Sequence, residues 1–159
     1  MSLSTQLLAK LQASAGQGAR SISVSEGLRV ATCDAVQCDP LAATIDELRV
    51  ETAELSSVTT FELQAASAEL AKRINYLLEP IAPIETDATG CSVQMRSNPP
   101  QKDDNGCRYY ELLIRRGGSV ALCRYEKQPG QPRTRVPAAV THEVVGRLIN
   151  DFSSTIDSL

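Results

Sequence analysis

The chain has 159 residues, 42% hydrophobic and 22% charged, proportions that suit a single globular domain with its own core. Aromatic residues make up only 4% and tryptophan is absent, so that core rests on Leu, Ile, Val and Ala. A net charge of −3 and a pI near 5.2 argue against a general nucleic-acid binder, which carries a strongly basic domain.

The charge is segregated along the chain. Residues 91–135 hold nine Lys or Arg against four Asp or Glu, whereas residues 1–90 hold six against twelve. Such segregation points to a surface with a preferred partner. Five cysteines, Cys33, Cys38, Cys91, Cys107 and Cys123, cannot all pair within one chain, and none forms a Cys-x-x-Cys. With one histidine there is no ordinary Cys/His zinc set, so free thiols in a reducing compartment are expected and no metal or cofactor is assigned. Lys10 interrupts the amino-terminal apolar run and no 18-residue apolar span occurs, so no membrane segment is expected and the cytoplasm is the expected location.

Leu7, Leu8, Leu11 and Ala15 form a helical stripe over Ser4 to Ala15, which Gly16-Gln17-Gly18 ends. Ile22 and Val24, then Leu28 and Val30, alternate about Glu26-Gly27, which predicts a strand pair or one bulged strand. Residues 33–44 read as a strand end and a loop, followed by a strand from about Ile45 to Leu55. Thr59 and Glu62 match a capping box, in which each side chain satisfies a free helix-start N–H. The stripe Leu63, Ala66, Leu70, Ile74 and Leu77 then predicts a helix over residues 60–79, stopped by Pro80.

Cys91, Val93 and Met95 alternate with polar residues as another strand, and a polar loop from Asn98 to Gly106 follows. Gly117-Gly118 then separates two alternating runs and predicts a hairpin, since glycine supplies the positive φ of a tight turn. A two-residue turn there sets Ile114 opposite Ala121, Leu112 opposite Cys123 and Tyr110 opposite Tyr125, all facing inward. Glu111 opposite Arg124, and Tyr109 opposite Glu126, then face outward with Leu113, Leu122, Val120 and Arg115. The proline-rich run 128–137 reads as a loop or irregular edge strand. A final helix opens at Thr141 as N-cap, with Val140 and Val145 at staple positions. The order αβββαβββα over residues 1–159 predicts one α+β domain, a mostly antiparallel sheet with helices packed on one face.

The isolated reactive side chains have simpler readings. Cys33 and Cys38 fit no common ligand spacing, and neighbouring Asp34 and Asp39 oppose a reactive thiolate. Cys91 and Cys123 fall on apolar sides, and Cys107, at a strand end, is the thiol most open to alkylation. His142 follows the last N-cap and is expected to face solvent, with no Ser, Cys or Asp partner evident. Asp103-Asp104-Asn105-Gly106 resembles part of a calcium loop but reads as a turn. No catalytic residue is assigned, and the chain is not read as an enzyme.

What remains is the polar side of the hairpin sheet. Arg96, Tyr109, Leu113, Arg115, Leu122 and Arg124 fall in phase there, and Arg, aromatic and Leu side chains are what interface cores favour. They are the candidate partner-binding set. The expected function is a non-catalytic adaptor module that self-associates as a homodimer and offers this face to an acidic protein partner. Alternatives are a small-ligand protein or enzyme whose site is assembled from scattered residues, and weak nucleic-acid binding by residues 108–135. The element order also resembles that of small acidic secretion chaperones of the type III class. That resemblance implies a dimer that binds client segments.

Overall fold

The computed structural model describes residues 1–159. In chain order it contains α1 (Leu3–Ala13), β1 (Arg20–Glu26), β2 (Arg29–Cys38), β3 (Ala42–Thr52), a single 3-10 turn at Ala53–Leu55 and α2 (Thr60–Arg73). These are followed by β4 (Ile81–Asp87), β5 (Ser92–Ser97), β6 (Gln101–Asp103), β7 (Gly106–Arg115), β8 (Ser119–Lys127), β9 (Thr134–Val136), β10 (Ala138–Thr141) and α3 (His142–Asp157). All strands join one antiparallel sheet in the order β1-β2-β3-β8-β7-β5-β4. The short strands β10, β6 and β9 pair with β3, β7 and β8 respectively. The class is α+β, as the element pattern predicts.

The helices form with the end groups their sequences supply. Ser2 caps α1 by accepting the Thr5 N–H. Thr59 and Glu62 make the full capping box of α2, and Thr141 accepts the Val144 N–H to open α3. Helix α1 packs on β1 and β2, α3 on β3 and β10, and α2 on β4 and β5, with α3 touching both other helices. The core between helices and sheet holds Leu7, Leu11, Leu48, Leu70, Met95, Leu112 and Phe152, all fully buried. The opposite face of the sheet carries no helix.

Several elements differ from the sequence reading. β2 runs on to Cys38 because a bulge between Asp34 and Gln37 shifts the register, so Cys33 and Cys38 both reach the core. Helix α2 ends at Arg73, six residues early. Ile74 and Leu77 remain buried, but Tyr76 leaves the helix to donate its hydroxyl to Asp151 on α3 at 2.5 Å. β4 was not expected; it lies at a sheet edge, where Pro83 needs no ladder N–H. His142 is buried rather than solvent-facing, because its backbone N–H donates to Leu41 O at 2.9 Å and seats the helix start on the β2–β3 turn.

The most consequential correction is the hairpin register. Ile114 pairs with Val120, Leu112 with Leu122 and Tyr110 with Arg124. The loop has three residues, Arg116 to Gly118, with Gly117 at φ 66°, where a side chain would be strained. Two outside carbonyls hold it: Arg116 N–H donates to Cys91 O and Gly117 N–H to Leu55 O, both at 3.0 Å. The one-residue shift turns all of β8 over. Val120 and Leu122 enter the core in place of the smaller Ala121 and Cys123, which buries more apolar area. We therefore expect Leu122→Ala to lower the unfolding free energy by about 2–5 kcal/mol. Ala121→Ser, on the open face, should change it by less than ~1 kcal/mol in the same urea titration. Equal losses would contradict the register.

Candidate functional site

The open face of the sheet concentrates the unusual chemistry. Alternation brings Gln94 and Arg96 of β5, Tyr109, Glu111 and Leu113 of β7, and Cys123 and Tyr125 of β8 to the same side. Across the strands Arg96 faces Glu111, Gln94 faces Leu113, and Tyr109 faces Tyr125. The two tyrosine rings stack with centroids 6.0 Å apart and planes 28° from parallel.

Arginines close over these rings. Arg133, from the loop between β8 and β9, lies 3.9 Å from the Tyr125 ring centre, and Arg96 lies 5.1 Å from that of Tyr109. Arg133 also donates to the Tyr109 hydroxyl at 3.5 Å and to Glu111 at 2.7 Å. These hydrogen bonds, Tyr109 first and Glu111 second, raise the Arg133 pKa further and keep it cationic. Gln94 donates to the same Glu111 oxygen. Hence Tyr109 and Glu111 are only 6% and 8% exposed on a face that no helix covers. The lid is made of guanidinium groups.

Beside this stack opens a recess of about 610 Å³, lined by Arg96, Tyr109, Arg133, Lys127, Cys107 and Ile84 among others. The Arg96 Nε is buried and has no hydrogen-bond partner in the protein. Positive charge therefore surrounds the opening, and the one carboxylate of the stack, Glu111, is already engaged by Gln94 and Arg133. An anionic group in the recess would meet guanidinium donors against aromatic faces.

The six candidate residues from the sequence divide between the two faces. Arg96 and Tyr109 meet in the stack, and half-buried Leu113 lies on the same side beside Gln94. Arg115 is on this face too, exposed at the turn end of β7. Leu122 and Arg124 are corrections: the β8 shift buries them on the helix side, at 1% and 8% exposure. There Arg124 stacks 4.3 Å from the Tyr110 ring centre and pairs with Glu79 at 3.0 Å. The same shift moves Cys123 and Tyr125 outward; burial raises the thiol and phenol pKa values of both. Arg133 was not selected from the sequence, because a proline-rich loop has no periodicity that says where its side chains fall.

The chain matches no protein-family model, no curated protein and no solved structure.

Thiol accessibility checks this geometry. Burial pushes the Cys33 pKa up to about 12, and Cys38 and Cys91 are equally enclosed, whereas Cys107 and Cys123 are half-buried. Iodoacetamide at pH 8 followed by peptide mass mapping should label Cys107 first and Cys123 second. The three core thiols should react only in denaturant; early labelling of Cys33 would contradict the fold.

Proposed function

We propose that this protein is a non-catalytic protein-binding module that holds an acidic partner segment on the open face of its sheet. The observation that carries the reading is the recess framed by Arg96, Arg133 and Lys127 against Tyr109, with an Arg96 donor left unpaired. Rigid aromatics and arginines are the side chains that dominate binding energy at protein interfaces. Leu113 and Ala121 beside them supply a small apolar margin. A secretion-chaperone-like client binder is a variant of this reading in which the acidic segment belongs to the client.

Self-association belongs to the same reading. Phe61 stands largely exposed at the start of α2, and Ile84 is exposed on edge strand β4, which has no outer neighbour. A small-ligand protein is the second reading, favoured by the recess itself: about 610 Å³ with two arginines is within the range of small-molecule sites.

Fluorescence anisotropy separates these readings. A labelled peptide rich in Asp and Glu should bind at low salt, and its Lys-rich counterpart should not. Arg96→Ser with Arg133→Ser should weaken capture by about tenfold or more, with the protein still folded by circular dichroism. Inorganic phosphate that displaces the peptide at micromolar concentration would favour the small-ligand reading. Equal binding of both peptides would overturn the acidic-partner proposal.

A further inference from the structure

A second recess lies on the other side of the sheet, below the carboxyl-terminal end of α2. It has a volume of about 660 Å³ and includes Leu78, Glu79, Pro80, Tyr110, Arg124 and Pro137 in its lining. Arg124 is 8% exposed and held through one nitrogen only: Nη2 donates to Glu79 Oε2 at 3.0 Å and to Gln101 Oε1 at 3.1 Å. Its Nη1 donor and the Glu79 Oε1 acceptor are both buried without a hydrogen-bond partner in the protein. A buried ion pair is stabilising only when its remaining donors and acceptors are satisfied. Here one donor and one acceptor, on opposite charges, are left over on two residues that line a single cleft.

Leu78 at the rim is an independent anomaly. Its φ is +65°, a left-handed conformation that a leucine side chain disfavours, and the side chain is 98% exposed. No packing within the chain offsets that strain. Strained residues held at the mouth of a cleft are a mark of ligand-binding sites. The cleft walls supply proline rings, alanines and leucines beside Gln101 and Arg108, so apolar and polar groups share the lining, and Arg108 is itself paired with Glu126.

We propose that this cleft binds a neutral, amphipathic ligand through a carboxamide group. The ligand carbonyl accepts from Arg124 Nη1, its N–H donates to Glu79 Oε1, and Leu78 covers its apolar end. A carboxamide is the simplest group that presents both an acceptor and a donor without net charge. Charge at the cleft is compensated, Arg124 by Glu79 and Arg108 by Glu126, so neither an anion nor a cation is favoured. Both atoms are buried beneath the cleft surface, so the ligand reaches them as the guanidinium and carboxylate turn about their Nη2–Oε2 hydrogen bond. The site shares only Pro100 with the lining of the Arg96–Arg133 recess and does not depend on that reading.

The test is a ¹H–¹⁵N titration, with arginine Nε–H signals included, using 4-methylpentanamide, which carries a single carboxamide, as probe. Shifts at Leu78, Glu79 and the Arg124 side chain with roughly millimolar affinity are expected for a ligand of this size. Methyl 4-methylpentanoate lacks the amide N–H groups and should bind about tenfold more weakly; 4-methylpentanoate, an anion, should also bind more weakly. Leu78→Gly relieves the backbone strain, so it should keep or raise the thermal midpoint while weakening the amide about fivefold. Arg96→Ser with Arg133→Ser should leave amide binding unchanged. Absence of shifts at these residues, equal binding of ester or anion, or full affinity in Leu78→Gly would overturn the proposal.

Discussion

The pairing of Ile114 with Val120 decides what each face of this protein can do. Strand β8 could present either Ala121, Cys123 and Tyr125 or Val120, Leu122 and Arg124 to the helices. A three-residue loop selects the second set, and the carbonyls of Cys91 and Leu55 hold that loop from outside the hairpin. Because side chains alternate, no intermediate arrangement exists. The choice places one arginine in the interior and two tyrosines in the open. Both recesses follow from it.

On the open side, the tyrosines would present two apolar rings to solvent if nothing covered them. Arg96 and Arg133 cover them with flat cations, and Glu111 and Gln94 fix those cations in place. The outcome is a polar surface with aromatic stiffness, built without a hydrophobic layer above it. On the closed side, Arg124 enters a core where an unpaired charge would be strongly unfavourable. Glu79 compensates it, and Glu79 is in reach because α2 ends early and the chain turns through Leu77 to Pro80. The unexpected end of α2 and the buried arginine are thus parts of one arrangement.

Much of this was legible in the residues. The capping box at Thr59, the N-cap at Thr141 and the Gly117-Gly118 reversal are local signals with local causes, and each appears in the structure. The α+β class followed from their order. Register was harder, since a glycine pair suits a two-residue or a three-residue loop equally. The sizes of Val120 and Leu122 against Ala121 and Cys123 were the available signal. Strand β4 was hidden by Pro83 and by its exposed polar residues, which read as loop at a sheet edge. Arg96 and Tyr109 were found by alternation; Arg133 and Glu79 sit in irregular segments, where only tertiary contacts decide direction.

The pairing of β7 with β8 is open to direct measurement by nuclear Overhauser effects in solution. The structure requires cross-strand contacts between Leu112 and Leu122 and between the rings of Tyr109 and Tyr125. Contacts of Leu112 with Cys123 and of Tyr110 with Tyr125 would instead reverse β8 and remove both recesses together.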